Sequence, residues 1–468
     1  MLLDPARVGF TWQDGVLHAD GVPLSDIADA VGTPTYVYSA GAIRLAYRRL
    51  EAAFAPLRAR LHYAVKASPN LHLCRLLREQ GAGMDVVSGG ELERAWIAGT
   101  PLSDVVFAGV GKSDEEIRAA LDGRFSPMRD DAPRFGRPDP AGRGPVGLFN
   151  VESVSELAAI DRIGTEAGIR ARACLRVNPD VDPHTHEYTT TGRQENKFGI
   201  DAPQIPDLFD QWSGRGGVEL VGLHVHIGSP VPQVEPFVES VQVIGALIDR
   251  LEAAGHRIEV LNLGGGWPVA YRDDESVPPI EVFAEAIVPL LAERVARGLR
   301  VLLEPGRSLL ANSGLLLSRV QHVKRGRAKT FVICDGGMHT LLRPALYRAY
   351  HFVWPVVWQG SPPVRNERSE LPDLEDCDIV GPICETGDFL ARGRRLPRVV
   401  RGDLLAVFSA GAYGMSMASN YNDHGRAAEV LVDGDRAVRI NRRQPLAALL
   451  ETERTTEELA VAGVPAAV

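Results

Sequence analysis

Between about residues 40 and 305 the chain switches repeatedly between two hydrophobic periods, and no other feature limits its fold as tightly. Short apolar runs rich in β-branched residues read as strands buried on both faces of a parallel sheet. The runs are LHYAV (61–65), MDVV (84–87), DVVFA (104–108), GLFNV (147–151), ACLRV (173–177), LVGLHVHI (220–227), EVLNL (259–263) and VLLE (301–304). Longer amphipathic stretches separate them and read as helices. The clearest are LHLCRLLREQ after the first run and residues 236–254 after the sixth. Eight strand–helix repeats predict a closed (β/α)8 barrel, with an open doubly wound sheet as the alternative.

After Arg307 the pattern changes. LLLSRVQHVKR, TFVICDGG, DLLAVFSAGAYG, AEVLVDG and AVRINR are short strand-like runs broken by turn signals. Such spacing predicts a mainly antiparallel β-domain. The opening VLHADGVPL and TPTYVYS read alike and are expected to pair with it. The expected organisation is α/β, a barrel over 39–308 with a β-domain assembled from 1–38 and 309–468. Two polar stretches, 122–145 and 359–377, read as surface loops. The first lies between a helix and a strand, hence on the barrel face away from the chemistry.

With 468 residues, 45% hydrophobic and 24% charged, the chain has the length and composition of a globular protein with a buried core. A net charge of -9, with the charges scattered, gives no support to a nucleic-acid partner. The N-terminus MLLDPARVGFTWQDG lacks the apolar run of a secretory leader, and no stretch is apolar enough to span a bilayer. The five cysteines, Cys74, Cys174, Cys334, Cys377 and Cys384, form no C-x-x-C pair. Free thiols in a reducing cytoplasm are therefore expected.

Barrel enzymes carry their chemistry at the C-terminal ends of the strands. Unusual polar residues collect there in this chain. Lys66 ends strand one, Asp85 lies in strand two with Ser88 just beyond, and Arg176 is in strand five. His224 and His226 are in strand six, Gly264, Gly265 and Gly266 follow strand seven, and Glu304 ends strand eight. A lysine behind an apolar strand can be held partly dry, with a depressed pKa and a neutral amine able to form a Schiff base. Taken alone, Lys66 reads first as a strand-end lysine reaching solvent. The glycine run of LNLGGGWP lets backbone amides approach an anion, usually a phosphate. It matches neither the nucleotide loop nor the dinucleotide fingerprint. A carboxylate such as Glu304 beside a pyridine nitrogen keeps that nitrogen protonated and the ring a strong electron sink. His224 and His226 share a strand face, but two ligands without a third at ligand spacing make no zinc site, and no metal is expected. An imidazole stacked on an aromatic cofactor is the better functional reading of His226.

The motifs YAVKAS, DVVSGGEL, HVHIGS, LNLGGGWP, EPGRSLLANSG, RPALYRAYH, GPICETGDFLA and SAGAYG occur in this order. Together they resemble the fold-type III pyridoxal-phosphate decarboxylases, of alanine racemase/ornithine decarboxylase-like fold, over roughly residues 30 to 435. The resemblance implies a pyridoxal 5′-phosphate cofactor and a homodimer with shared active sites. It implies Lys66 as the Schiff-base lysine. Asp85, Ser88, Arg176, His226, Ser229, Gly264, Gly265, Gly266, Glu304, Gly306, Arg307 and Tyr413 are the implied cofactor contacts. Arg307, Arg343, Tyr347, Glu385 and Tyr413 are the implied substrate contacts. Cys384 is the implied proton donor, reaching in with Glu385 from the partner subunit. KAS stands where KAN is commoner in the family.

The motifs are most similar to the branch acting on meso-2,6-diaminopimelate, which yields L-lysine and CO2. Arg307 and Arg343 suit the carboxylate at that substrate's far end, because guanidinium binds carboxylate through two parallel hydrogen bonds. Decarboxylation of another basic amino acid (ornithine, arginine or carboxynorspermidine) is the alternative. A racemase of similar architecture would place an arginine at the pyridine nitrogen, against Glu304. A non-catalytic cofactor-binding or regulatory protein would be expected to have lost Lys66 or Cys384.

Overall fold

The computed structural model describes residues 9–123, 144–182, 197–361, 363–366 and 371–454. Eight parallel strands form its centre: Arg60–Ala64, Gly83–Val86, Val105–Phe107, Leu148–Val151, Ala171–Asn178, Val218–His224, Val260–Asn262 and Arg300–Leu303. They pair in chain order, and the eighth returns to the first with Leu302 opposite Arg60. That closure makes a barrel and excludes the open sheet.

All eight expected runs are strands because each is buried on both sides. Val106, Leu148, Cys174, Val221 and Val260 form a cluster of their own, each from a different strand, and it fills the barrel interior. The alternate side chains pack outward with the helices in the main core. Full burial of a Val or Leu side chain contributes roughly 1.5–3 kcal/mol, so these layers hold the strands in register. Gly222 sits at a register shift between the fifth and sixth strands. A Cβ there would lie 2.0 Å from the Val260 carbonyl, so the close approach requires glycine. Helices start where a short polar side chain can take the orphan amides. Asn70, Ser88, Ser113 and Ser153 each cap the helix that follows them.

The second sheet is mainly antiparallel, as the turn-rich half of the sequence suggested. Its central strand Gly314–Arg325 pairs antiparallel with Thr35–Ser39, Thr330–Cys334 and Leu404–Val407. Thr35–Ser39 also pairs parallel with Ala428–Asp433, so TPTYVYS does join this sheet. VLHADGVPL does not. It folds into a separate three-stranded sheet with Phe10–Gln13, joined to the larger sheet by an isolated bridge from Val16 to Val357 and by backbone bonds such as Gly21 N–H to the Gly434 carbonyl at 2.9 Å. The chain enters the barrel layer at Ser39, which caps the helix Ala40–Ala53, and re-enters the β-layer at Gly314.

The loop expected over 359–377 ends early, because Leu374–Val380 is a strand against Phe389–Pro397. Its buried Cys377 and Ile379 alternate with charged residues, and the acids concealed that period. Most of the 122–145 stretch lies outside the described residues. All five cysteines are free, with four buried and Cys384 exposed. Among the described residues no helix is long and apolar enough to cross a membrane.

Candidate active site

A cavity of about 380 Å³ opens between the C-terminal ends of the barrel strands and the β-layer. Lys66, His226, Ser229, Gly265, Gly266, Glu304, Gly306 and Arg307 line it from the barrel side. Arg343, Tyr347, Tyr350, Tyr413 and Met417 line it from the other. Most of the residues singled out in the sequence thus meet in one place.

The first strand stops at Ala64, and a tight turn over Val65–Ala67 carries Lys66 just past it. Lys66 Nζ lies 2.5 Å from Asp85 Oδ2, and the Asp85 side chain is fully buried in the second strand. The expected depressed pKa is not found. Burial alone would lower it, but the Asp85 carboxylate and, behind it, Glu304 outweigh burial and hold Lys66 above the ordinary lysine value. Burial and Glu304 raise Asp85 as well, up to about 7, against the pull of Lys66. Among the described residues Asp85 Oδ1 has no hydrogen-bond partner.

Glu304 follows the eighth strand and is 4% exposed. Oε1 accepts hydrogen bonds from Asn150 Nδ2 at 2.9 Å and Asn262 Nδ2 at 2.6 Å. His224 Nε2 stands 3.4 Å from Oε2. Burial opposes ionisation, but His224, Lys66 and the Asn262 amide reverse it, and the group is held far below the usual glutamate value. Glu304 is therefore an anion at the floor of the cavity. Neither asparagine was singled out from the sequence, although each is the polar residue at the C-terminal end of an apolar strand.

The sixth strand ends at His224, so His226 is not in it but two residues beyond. The backbone turns there, which brings the imidazole to the cavity wall. Gly265 N–H donates to His226 Nδ1 at 3.0 Å, which fixes the ring with its proton on Nε2. Burial, with Arg176 and Lys66 nearby, holds His226 well below the ordinary histidine value, so the ring is neutral. Arg176 is off the cavity wall. It is clamped by Glu152 at 2.7 Å and donates to the His226 carbonyl at 3.1 Å, so it braces the histidine from behind. Glu152 is a further residue the sequence reading missed. Ser88 caps a helix with its hydroxyl and does not line the cavity.

The glycine run works by clearance more than by free amides. A Cβ at Gly264, Gly265 or Gly266 would lie 2.5 Å from a carbonyl oxygen of Val225, Glu304 or Gly228 respectively. Two of the three amides are already engaged, Gly264 with Asn262 Oδ1 and Gly265 with His226. Beside them, Gly306 leads into Arg307, whose Nε and Nη2 lie 3.3–3.4 Å from Ser229 Oγ. The Tyr413 amide donates to the Ala67 carbonyl at 2.8 Å. This contact ties the β-layer to the Lys66 turn and holds Tyr413 in the left-handed region at φ 58°.

Arg307 and Arg343 are 7% and 6% exposed, and their Nη1 atoms donate to one phenol oxygen, Tyr271 Oη, at 2.8 and 3.0 Å. Tyr271 and His351, which holds Arg343 from the other side, were not singled out because loop residues carry no periodic signal. Tyr347 joins Arg343 on the wall, both from the short helix Arg343–Tyr347. Cys384 and Glu385 stand apart. They are exposed, on the loop before Phe389–Pro397, and do not line this cavity.

An amine beside a buried carboxyl, an anionic glutamate, a neutral flat imidazole and glycine-cleared backbone fit a pyridoxal-phosphate ring. Residues 40–311 match the family model described as "Pyridoxal-dependent decarboxylase, pyridoxal binding domain". The diaminopimelate decarboxylase of Pseudomonas aeruginosa is 43% identical over 447 residues, covering 95% of this chain and 98% of its own. Among solved structures, diaminopimelate decarboxylase from M. jannaschii is 33% identical and superposes with a TM-score of 0.84, covering 96% of this chain and 99% of its own. The same enzyme in co-complex with L-lysine gives a TM-score of 0.83 at the same identity and coverage. Agreement of this extent in sequence and in fold makes the chain a member of the pyridoxal-dependent decarboxylase family, with pyridoxal phosphate as its cofactor.

Proposed function

We propose that the chain decarboxylates meso-2,6-diaminopimelate, releasing CO2 and L-lysine. One observation carries the reading. Among the described residues no carboxylate lies within ion-pair distance of Arg307 or Arg343, although both are buried at the cavity wall. A buried cation without a counter-ion is costly. Two of them suit a ligand that brings its own anion, and diaminopimelate retains a carboxylate at the far end after the first has left. Ornithine has none to spare. The names of the relatives support the same substrate.

Bound pyridoxal phosphate supplies a ring that accepts the electrons left behind by CO2. Lys66 Nζ is the amine that holds it. Glu304 keeps a proton on the pyridine nitrogen, His226 offers a flat neutral face to the ring, and the backbone from Gly264 to Gly266 with Gly306 and Ser229 leaves room for the phosphate. Arg307, Arg343 and Tyr347 hold the far end of the substrate, and Tyr413 closes the side of the site. The partner subunit's Cys384 delivers the proton to substrate Cα, with Glu385 beside it for the distal ammonium. In support, both are exposed on a loop whose backbone is held by side chains. Asp388 takes the amides of Ile383 and Met338 at 2.7 and 2.6 Å, and Asn422 Oδ1 takes that of Cys384 at 3.0 Å. On this reading the barrel spans 39–308, while 1–38 and 309–468 form the β-domain that completes the site of a homodimer. With its free thiols, the enzyme belongs in the cytoplasm.

The direct test is to incubate the purified protein with pyridoxal phosphate and meso-diaminopimelate and to assay CO2 and L-lysine. Release of CO2 from ornithine or arginine but not from diaminopimelate would overturn the substrate. Arg343→Ala is expected to raise KM for diaminopimelate about 10- to 100-fold, with a smaller change in kcat. An unchanged KM removes Arg343 from the substrate site. Lys66→Ala and Cys384→Ala homodimers should both be nearly inactive. Because half of randomly reassorted dimers are mixed and carry one intact site of two, the mixture should recover about a quarter of wild-type activity. No recovery means that each site is built from one chain.

A further inference from the structure

We infer that the Tyr271 hydroxyl is a ligand, alongside the two arginines, for the carboxylate at the far end of the substrate; this rests on the substrate reading given above. Tyr271 follows the seventh barrel strand, and its amide is tied to Glu275 Oε2 at 2.7 Å. Its ring is part of the cavity wall. The phenol oxygen already accepts from Arg307 Nη1 and Arg343 Nη1. A phenol oxygen has room for two donors and offers one proton, and guanidinium groups only donate. The O–H must therefore turn away from both arginines.

The back of the ring is closed to it. His351 sits edge-on to Tyr271, with centroids 5.6 Å apart. His351 Nδ1 is within 2.9 Å of the Phe408 carbonyl, so it carries the proton, and Nε2 is taken by Arg343 Nη1 at 3.2 Å. Among the described residues no acceptor receives the Tyr271 proton, and the direction that remains is the cavity. The two guanidinium groups also sharpen the donor. Burial would raise its pKa, but they outweigh it and hold the phenol below the ordinary tyrosine value. His351 completes the device as a neutral acceptor, because burial and Arg343 push it down to about 3. It orients Arg343 without cancelling its charge. A carboxylate seated here meets two cations and one polarised hydroxyl.

The experiment compares two competitive inhibitors of diaminopimelate turnover that differ by one carboxylate, L-lysine and cadaverine. Tyr271→Phe keeps the ring, and an unchanged melting temperature and cofactor absorbance show that it folds. It should raise KM for diaminopimelate and Ki for L-lysine about 10-fold while leaving Ki for cadaverine unchanged. A crystal structure of the L-lysine complex should place a carboxylate oxygen within about 3 Å of the phenol oxygen. An unchanged Ki for L-lysine, an equal loss for both inhibitors, or a phenol aimed elsewhere in the complex overturns the inference. If Arg343→Ala raises Ki for L-lysine while Tyr271→Phe does not, the inference falls and the substrate reading stands. If neither variant moves it, both fall.

Discussion

Lys66→Ala is expected to lower kcat by about 10⁴-fold or more and to abolish the absorbance of lysine-bound cofactor. The amine is placed for this task by two local features. The chain leaves the first strand at Ala64, and the turn over Val65–Ala67 aims the side chain into the cavity. Among the described residues no other lysine lines that cavity. Lys112 is wholly buried and locked by Glu156 at 2.6 Å and by the carbonyls of Gly109 and Asn150. The substitution should leave a folded protein. Asp85 loses its partner, but a carboxyl already raised to about 7 takes up a proton with little further cost. Lys66→Arg separates charge from chemistry, because a guanidinium keeps the ion pair with Asp85 and forms no imine under these conditions. It should be as inactive as the alanine variant and at least as stable. If either variant retains the absorbance, or if borohydride trapping labels a peptide other than YAVKAS, another lysine holds the cofactor.

The same lysine shows what a sequence does and does not disclose. LHYAV and its seven counterparts were legible as strands because burial on both faces leaves an unbroken apolar run. The last residues of those runs were not legible. His226 continues the apolar pattern of HVHI, yet the strand ends at His224 because beyond it the chain must turn toward the glycine loop. Which polar residues crowd the strand ends could be read, and so the site could be located. Their charge states could not. Asp85 is nineteen positions from Lys66 in sequence and 2.5 Å away in space, so the amine is held charged where local context suggested a neutral one. Asn150 and Asn262 looked like minor interruptions of GLFNV and EVLNL until barrel closure brought both onto Glu304. Tyr271 and His351 lie in irregular segments, where no period marks a side chain as inward. Cys384 and Glu385 were singled out only through the resemblance, and in their own chain they are exposed and off the cavity wall.

Glu304→Gln is expected to lower kcat about 10²- to 10³-fold while changing KM little. The substitution changes charge at constant shape. All of the carboxylate's contacts favour the ionised form, with two carboxamide donors on Oε1 and His224 at 3.4 Å from Oε2. Glutamine fills the same volume and keeps an oxygen for Asn150 and Asn262, but it carries no charge to hold a proton on a pyridine nitrogen. Without that proton the electrons released with CO2 have a weaker sink. On the proposed reading the substrate is held by Arg307 and Arg343, which line the cavity away from Glu304, so KM should hold. Stability moves in a defined direction as well. Because the folded-state pKa of Glu304 lies below its unfolded value, its contribution is complete above about pH 4.5 and is lost progressively as pH falls from there through the lower, folded value. At neutral pH the glutamine variant therefore lacks all of it. Part of this loss is returned at Asp85, whose carboxyl no longer faces a second anion and so pairs more firmly with Lys66. Glu304→Asp keeps the charge and withdraws it by one methylene, so its kcat should fall between wild type and the glutamine variant. A glutamine variant with wild-type kcat would show that this carboxylate does not sustain the electron sink, and the role would have to pass to another group at the cavity floor.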